Sequence, residues 1–219
     1  MPRRPAPPPD AAQQPLEQRI VTALHKLGLA MKQQTWLQAS DEGLSPTQGQ
    51  ILATLATDGP QSATELSRRL GLTLPTISDS VRVLAEKGLI ARKPDPRHPR
   101  ASLLSLTARG RTRATRAQAW PEFLAAAVGT LSEGEREAVF GALVKMIRTL
   151  QENGQIPPSR MCVSCTYFRP NVHAGPRPHH CALVDAPMRG TDLRLDCAEH
   201  EEASAEQRRE SWERLVNAG

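Results

Sequence analysis

The sequence predicts a mainly α fold with a small β-wing (α+β), that is, a winged helix-turn-helix with dimerisation helices and a small loop-rich C-terminal module. Two short capped helices joined by a glycine turn predict the helix-turn-helix, and an arginine-rich hairpin after them predicts the wing. All four cysteines lie between Cys162 and Cys197. We therefore expect a disordered tail over residues 1–14, a winged helix-turn-helix and dimerisation domain over 15–156, and a cysteine-rich module with a C-terminal helix over 157–219.

The N-terminal stretch MPRRPAPPPDAAQQP contains two arginines and six prolines but no apolar run. This composition is typical of a disordered tail and differs from that of a secretory signal or a membrane anchor. No stretch approaches the roughly 20 apolar residues that a membrane-spanning helix needs. We therefore expect a cytoplasmic protein with no membrane partner.

The first helix is predicted between Leu16 and Trp36, with an apolar stripe at helical spacing made of Leu16, Ile20, Leu24, Leu27 and Met31. Little of the chain around it offers apolar surface, so we expect a partner chain to cover the stripe. Ser45, Pro46 and Gln48 then combine an N-cap, a proline at the first helical position and a capping glutamine. They predict the start of a second helix.

The helix-turn-helix is predicted between Ser62 and Gly88. Ser62 and Glu65 form a capping-box pattern, and Gly71 ends the short helix that they open. Thr73 can cap a second helix that runs to Lys87 and ends at Gly88. Its apolar residues fall on one face that must be buried, namely Leu74, Ile77, Val81 and Leu84.

The opposite face of this second helix carries short or forked side chains that can approach the edges of DNA bases. Arg82 can fork onto a guanine, and Asp79 can accept a hydrogen bond from a cytosine amine. The candidate DNA-binding residues of this face are Thr73, Pro75, Thr76, Ser78, Asp79, Ser80 and Arg82. Taken alone, the two helices fit an ordinary helical hairpin about as well.

Charge favours the DNA-binding interpretation. Between Ile90 and Trp120 one acid, Asp95, stands against eight basic residues, which are Arg92, Lys93, Arg97, Arg100, Arg109, Arg111, Arg113 and Arg116, while the whole chain carries only +5. A basic cluster beside a reading helix is what neutralisation of phosphates requires.

Residues 44–150 resemble the MarR family of winged-helix transcription regulators, on the order of elements and on the motifs EKGLI, DPRHPR and LSLTARG. The resemblance implies a homodimer that binds double-stranded DNA, with its first and last helices interlocked and one recognition helix per subunit in the major groove. It also implies wing arginines at Arg97 and Arg100 and a bracing acid at Asp95. The chain departs from the family pattern at His98 and Pro99.

Two more helices are predicted after the wing. Thr107 caps the first, which is interrupted near Trp120 and Pro121. Ser132 and Glu135 form another capping box before a stripe made of Phe140, Leu143, Val144, Ile147 and Leu150. We favour dimerisation over an intramolecular core as the use of this stripe.

The four cysteines have the spacing Cys-x2-Cys-x15-Cys-x15-Cys at Cys162, Cys165, Cys181 and Cys197. Structural disulfides are disfavoured in a reducing cytosol, whereas metal–sulfur bonds can order a module too small to fold by apolar burial. Only Cys162 and Cys165 form a close pair of the kind that structural zinc sites use twice. Iron–sulfur clusters accept isolated cysteines from separate loops.

The stretch CVSCTYFRP followed by CALV is similar to the cluster-binding stretch of high-potential iron–sulfur proteins, but Asp196 replaces a bulky aromatic before the last cysteine. We expect an iron–sulfur cluster, 4Fe-4S rather than a smaller one, under an apolar lid of Tyr167, Phe168 and Pro170. Zinc is the alternative, with His180 or His200 as a further ligand.

These features predict a homodimeric DNA-binding transcription regulator whose cluster senses redox state, oxygen, nitric oxide or iron supply. One alternative is a MarR-like regulator with structural zinc and a small-molecule effector bound between the dimer helices and the winged domain. A second is a redox or electron-transfer protein. The sequence has no nucleophile–base pair or phosphate loop, so we do not expect an enzyme.

Overall fold

The computed structural model describes residues 14–95, 98–118 and 122–217, and for residues 98–101 it describes the backbone alone. The chain divides into two compact units. The first comprises Met1–Ser62 and Ser78–Phe123, and the second comprises Ala63–Ile77 and Leu124–Gly219. The predicted module 157–219 therefore shares its unit with three helices from earlier in the chain and with the first turn of a fourth.

The first unit begins with α1 (Leu16–Asp41) and α2 (Pro46–Asp58). The predicted capping box of α2 is confirmed, because Ser45 Oγ accepts from the Gln48 N–H at 3.2 Å and Gln48 Oε1 accepts from the Ser45 N–H. Helix α1 is one turn longer than predicted, and Ala39 is its only fully buried residue. Its large apolar residues stay exposed, Trp36 among them at 60%.

The predicted wing is present as an antiparallel pair, β1 (Ile90–Asp95) and β2 (His98–Leu106). Ile90 lies opposite Leu106, and the register shifts between Pro94 and Asp95. Helix α5 (Ala108–Gln118) follows, and Thr107 caps it as predicted, since its Oγ1 accepts from the Gly110 N–H at 3.0 Å. The interruption expected near Trp120 and Pro121 lies outside the described residues.

The helix-turn-helix consists of α3 (Ala63–Leu70) and α4 (Leu74–Glu86), which agrees with the predicted bounds. Gly71 and Gly88 end the two helices with φ of 65° and 66°, where a side chain would be strained. Ile77, Val81 and Leu84 are buried as predicted. The prediction is wrong for Leu74, which is 46% exposed, because it sits in the first turn of the helix, next to the cap.

The remaining helices are α6 (Glu122–Gly129), α7 (Glu133–Glu152) and α8 (Ala205–Val216). The Ser132–Glu135 capping box of α7 is confirmed. Between α7 and α8 the chain forms a small antiparallel sheet in the order β3–β4–β5, with β3 at Phe168–Arg169, β4 at His179–Cys181 and β5 at Ala186–Met188. No helix in the described part of the chain is both long and apolar enough to cross a membrane.

The cysteine segment shares a hydrophobic core with α7. Val144 of α7 is buried together with Met161, Val163, Phe168 and Leu193 of the segment, and Phe140, Ile147, Met188 and Leu215 pack against this cluster. Three of the five residues predicted for dimerisation, Phe140, Val144 and Ile147, thus belong to an intramolecular core. The exposed apolar residues of α7 are instead Val139, Leu143 and Met146.

Gly110 is the position in α5 where the packing leaves no room for a side chain. A Cβ there would lie 1.9 Å from the backbone oxygen of Leu89. We expect Gly110→Ala to lower the free energy of unfolding by about 1–3 kcal/mol in urea titrations followed by circular dichroism, since a backbone atom must move. Gly141→Ala is the control, because an added Cβ meets nothing within 4 Å there and alanine favours a helix interior. A neutral Gly110→Ala would contradict this packing.

Candidate functional site

The polar face of α4 is open to solvent. Thr73, Pro75, Thr76, Ser78, Asp79 and Arg82 are exposed, and Ser80 is half-buried. Thr73 Oγ1 lies 2.8 Å from Thr76 Oγ1 and accepts weakly from the Thr76 N–H, so this pair also caps the helix. The face therefore consists of short side chains beside one long forked one.

The guanidinium of Arg82 is already paired within α4. It donates to Glu86 Oε1 at 3.2 Å, and its Nη2 lies 3.8 Å from Asp79 Oδ1. Both ion pairs are exposed, so they contribute little stability. Arg82 can therefore leave them for a base edge at low cost, and Asp79 is freed by the same movement.

The wing candidates are only partly described. Arg97 lies outside the described residues, and for Arg100 the structure gives the backbone within β2. Asp95, the predicted brace, is 5% exposed at the end of β1.

The basic cluster after the wing has two parts. Arg113 and Arg116 both form ion pairs with Glu42, which follows α1, and the Arg116 pair is 2.8 Å long. These two arginines connect α5 to the end of α1. Their charges are already paired with Glu42, so they are less available to DNA phosphates. Arg92, Lys93 and Arg109 are exposed and form no ion pair in the described parts of the chain. They are the better phosphate candidates.

All four cysteines line one small cavity, together with Tyr167, Phe168, Leu183, Met188 and Glu199. The cysteines come from separate elements, since Cys162 opens a 3-10 turn and Cys181 ends β4. None forms a disulfide. The N–H of Cys197 donates to the Arg160 carbonyl at 2.9 Å, which fixes the last cysteine beside the first pair. Of the predicted lid, Tyr167 and Phe168 line the cavity, whereas Pro170 is buried elsewhere.

Hydrogen bonds from Arg194 reach two of the sulfurs. Its backbone N–H donates to Cys162 Sγ at 3.2 Å, and its Nη1 lies 3.8 Å from Cys197 Sγ. Burial raises the pKa of the Cys162 thiol, and the N–H of Arg194 partly opposes this. A bound cation would reverse the balance, because thiolates rather than thiols ligate metals.

A single ion and a cluster place different demands on how far apart four cysteine sulfurs stand. Four sulfurs around one zinc at about 2.3 Å would stand about 3.8 Å apart, whereas the cysteines of a cubane bind four different irons and stand farther apart. Among the described residues, no group of three or more His, Cys, Asp or Glu side chains is close enough to hold one ion. Yet all four cysteines face the same cavity.

The histidines of the zinc alternative are engaged elsewhere. His180 contacts His173 at 3.1 Å and Asp185 at 3.2 Å, and His200 contacts Ser164 Oγ at 3.0 Å. Neither of them lines the cysteine cavity. Burial lowers the pKa of His200, so it is held neutral.

Asp196, immediately before Cys197, bridges two arginines. It accepts from Arg160 Nε at 2.7 Å and forms a second ion pair with Arg69 of α3. Although partial burial raises the pKa of this carboxyl, hydrogen bonds from Arg160 and Arg69 bring it below its usual range. Pro157 also lies against Gly71, in the turn of the helix-turn-helix. Sequence reasoning missed both contacts, since residues 69 and 196 are far apart in the chain.

Comparisons with known proteins agree on the fold. A model of the MarR family matches residues 42–101. Over these residues the winged helix-turn-helix domain is similar to that of the MarR family. The structure of an S. aureus MepR–DNA complex is 28% identical, covers 59% of this chain and 96% of its own, and has a TM-score of 0.52. S. aureus MepR in its DNA-binding conformation is 26% identical, covers 60% of this chain and 98% of its own, and has a TM-score of 0.54.

A third structure, of a MarR family transcription regulator, is 24% identical, covers 63% of this chain and 92% of its own, and has a TM-score of 0.57. At that identity the likeness concerns the fold alone. No curated protein sequence matches the chain. The matched structures cover about 60% of the chain and the family model covers residues 42–101, so each similarity concerns part of the chain.

Proposed function

We propose that the chain is a homodimeric DNA-binding transcription regulator whose four cysteines hold an iron–sulfur cluster, 4Fe-4S, that senses redox state, oxygen, nitric oxide or iron supply. One observation carries the proposal more than any other. Asp196, the neighbour of Cys197, is ion-paired with Arg69 of α3, so the segment that carries the last cysteine contacts the first helix of the helix-turn-helix directly.

DNA binding is supported by the similarity of the winged domain to the MarR family and by its surface. The candidate reading face of α4 is exposed, and Arg92, Lys93 and Arg109 are exposed cations that form no ion pair with any residue the structure describes. A structural relative, MepR, is known as a DNA complex at 28% identity. A helix with small polar residues and one arginine suits a major groove, where base edges are distinguishable.

Self-association is supported by apolar surface that a lone chain leaves in water. Helix α1 is 26 residues long and exposes Leu16, Val21, Leu29, Trp36 and Leu37, each by more than half. Long helices depend on packing of an apolar face for their stability. A second copy of the chain can supply such an apolar face, because Val139, Leu143 and Met146 of α7 are exposed as well.

The cluster is supported by the four cysteines around one cavity and by the N–H donors of Arg194 to two of the sulfurs. When bound, a cluster of this kind changes charge or dissociates in response to oxidants, nitric oxide or iron shortage.

In this proposal, the ion pairs of Asp196 carry a change in the cluster to α3 and from there to DNA binding. While Cys197 is held as a ligand, Asp196 stays between Arg160 and Arg69, and α3 is tied to the module. If a change at the cluster released Cys197, the neighbouring carboxylate would be free to leave Arg69, and the tie to α3 would be lost. A coupling of about 1–3 kcal/mol between the two sites would change operator occupancy roughly 5- to 150-fold.

Metal content is the first test. Full-length protein purified without air should be brown and contain iron and sulfide in about equal amounts, about four of each per chain. Cys181→Ala should lose both. His200→Ala is the matched control and should retain them, because His200 does not line the cavity. Zinc without iron or sulfide, or loss of metal in His200→Ala, would favour the zinc alternative.

The reading face is tested with duplexes selected by the protein from a random pool. Arg82→Ala should weaken binding to the selected operator by about 1–3 kcal/mol and relax its specificity, since a forked contact to a base is removed. Arg136→Ala in α7 removes an exposed arginine far along the chain and serves as the control. Unchanged operator affinity of Arg82→Ala by fluorescence anisotropy would refute the assigned face.

The tie between Asp196 and α3 is tested by comparing operator affinity with and without the cluster. Asp196→Asn and Arg69→Gln should each bring the two affinities to within about twofold, because both remove the same ion pair. Glu206→Gln removes one negative charge from the same module and should preserve the difference. The cluster absorption band reports that each variant remains loaded. If both variants keep the full difference in operator affinity between the loaded and the cluster-free protein, the Asp196–Arg69 ion pair does not transmit the change. The cluster would then still act as a sensor, but through other contacts.

A further inference from the structure

A second cavity in the cysteine-containing unit is lined by none of the four cysteines and by none of the candidate DNA-binding residues. It lies against α7, the loop before β4, the 3-10 turn Gly190–Asp192 and α8, and its volume is about 620 Å³. This volume falls in the range of about 300–1,000 Å³ that is typical of small-molecule sites. No cysteine lines it.

Three glycines lend the cavity its room. Gly141, Gly175 and Gly190 all line it, and a Cβ on Gly141 or Gly175 would meet no atom within 4 Å. The apolar part of the wall comes from Val144, Leu193 and Leu215. A flat or branched hydrocarbon group can therefore occupy the space without displacing the core.

His179 directs a hydrogen-bond donor toward this space. The side chain is 6% exposed, and its Nδ1 accepts from the Asn171 N–H at 3.2 Å. The hydrogen of the ring must then reside on Nε2. Nε2 is near Gly190, whose added Cβ would lie 4.0 Å away, and it has no partner in the described part of the chain. Nε2–H is therefore available to donate a hydrogen bond to an acceptor bound in the cavity.

The charged residues around the cavity favour an anion. Lys145 and Arg189 both line it and form no ion pair in the portion of the chain described, and Glu137 is the only carboxylate among the lining residues. The wall thus combines two cations, one anion and one neutral donor with an apolar floor.

We propose that this cavity binds a small organic carboxylate with an apolar body. The carboxylate accepts from His179 Nε2–H and is attracted by Lys145 and Arg189, while the body packs against Val144, Leu193 and Leu215. The site goes beyond the proposed regulator function, because neither the cysteines nor the reading face of α4 take part in it.

The test is isothermal titration of full-length, anaerobically purified protein with 4-phenylbutyrate as the probe and uncharged 4-phenylbutanol as its match. We expect the carboxylate to bind about 10- to 100-fold more tightly than the alcohol, as for a hydrogen bond to a charged group. His179→Phe keeps an aromatic ring but removes the donor, and should abolish most of that preference. Equal binding of acid and alcohol would overturn the proposal.

Gly141→Leu tests the location. Leucine is a better helix former than glycine and the position has open space, so the variant should fold, and circular dichroism checks this. Its side chain should fill the cavity and abolish binding of 4-phenylbutyrate. Arg177→Gln removes an arginine of the same loop that does not line the cavity, and should bind normally.

Two results would overturn the proposal. Undiminished binding by Gly141→Leu would locate the probe elsewhere. Failure of 4-phenylbutyrate to bind the parent protein, together with weaker self-association of Gly141→Leu in analytical ultracentrifugation, would identify the cavity as a surface covered by a second copy of the chain.

Discussion

The arrangement of this chain depends on the burial of one face of α7 by the cysteine segment. Val144 is 2% exposed in a cluster with Met161, Val163 and Phe168. The segment has too few apolar residues to form such a core without the helix. Because this face of α7 is covered from within the chain, the loops that carry Cys162 and Cys165 pack on a core that includes a helix.

The same helix carries a second apolar stripe. Phe140, Val144 and Ile147 belong to the core with the cysteine segment, whereas Val139, Leu143 and Met146 are exposed. Each set follows the spacing i, i+4, i+7, and the two differ by one residue, which is a rotation of about 100° around the helix. One helix can thus pack on the module and on a partner chain at once. The stripe predicted from sequence mixed residues of both faces.

Local signals made most of the fold predictable. Capping residues mark the starts of α2, α5 and α7, and left-handed glycines mark the ends of α3 and α4, because these interactions lie within a few residues. The prediction that the four cysteines lie together followed from residue type, because metal–sulfur bonds can order a module too small to fold by apolar burial. The ion pairs of Arg69 and Arg113 were not predictable, since their partners, Asp196 and Glu42, are distant in sequence. Strands of two or three residues, such as β3 and β4, carry no periodicity.

Two neighbouring arginines explain how an aspartate can stand immediately before Cys197. A carboxylate beside four thiolates would add unfavourable negative charge if nothing compensated it. Arg160 and Arg69 both pair with Asp196, so the three side chains together carry one net positive charge next to the sulfurs. At the position next to the last cysteine, Asp196 therefore supplies a charged contact with α3. A residue that only shielded the sulfurs would not need the second arginine, which belongs to the helix-turn-helix.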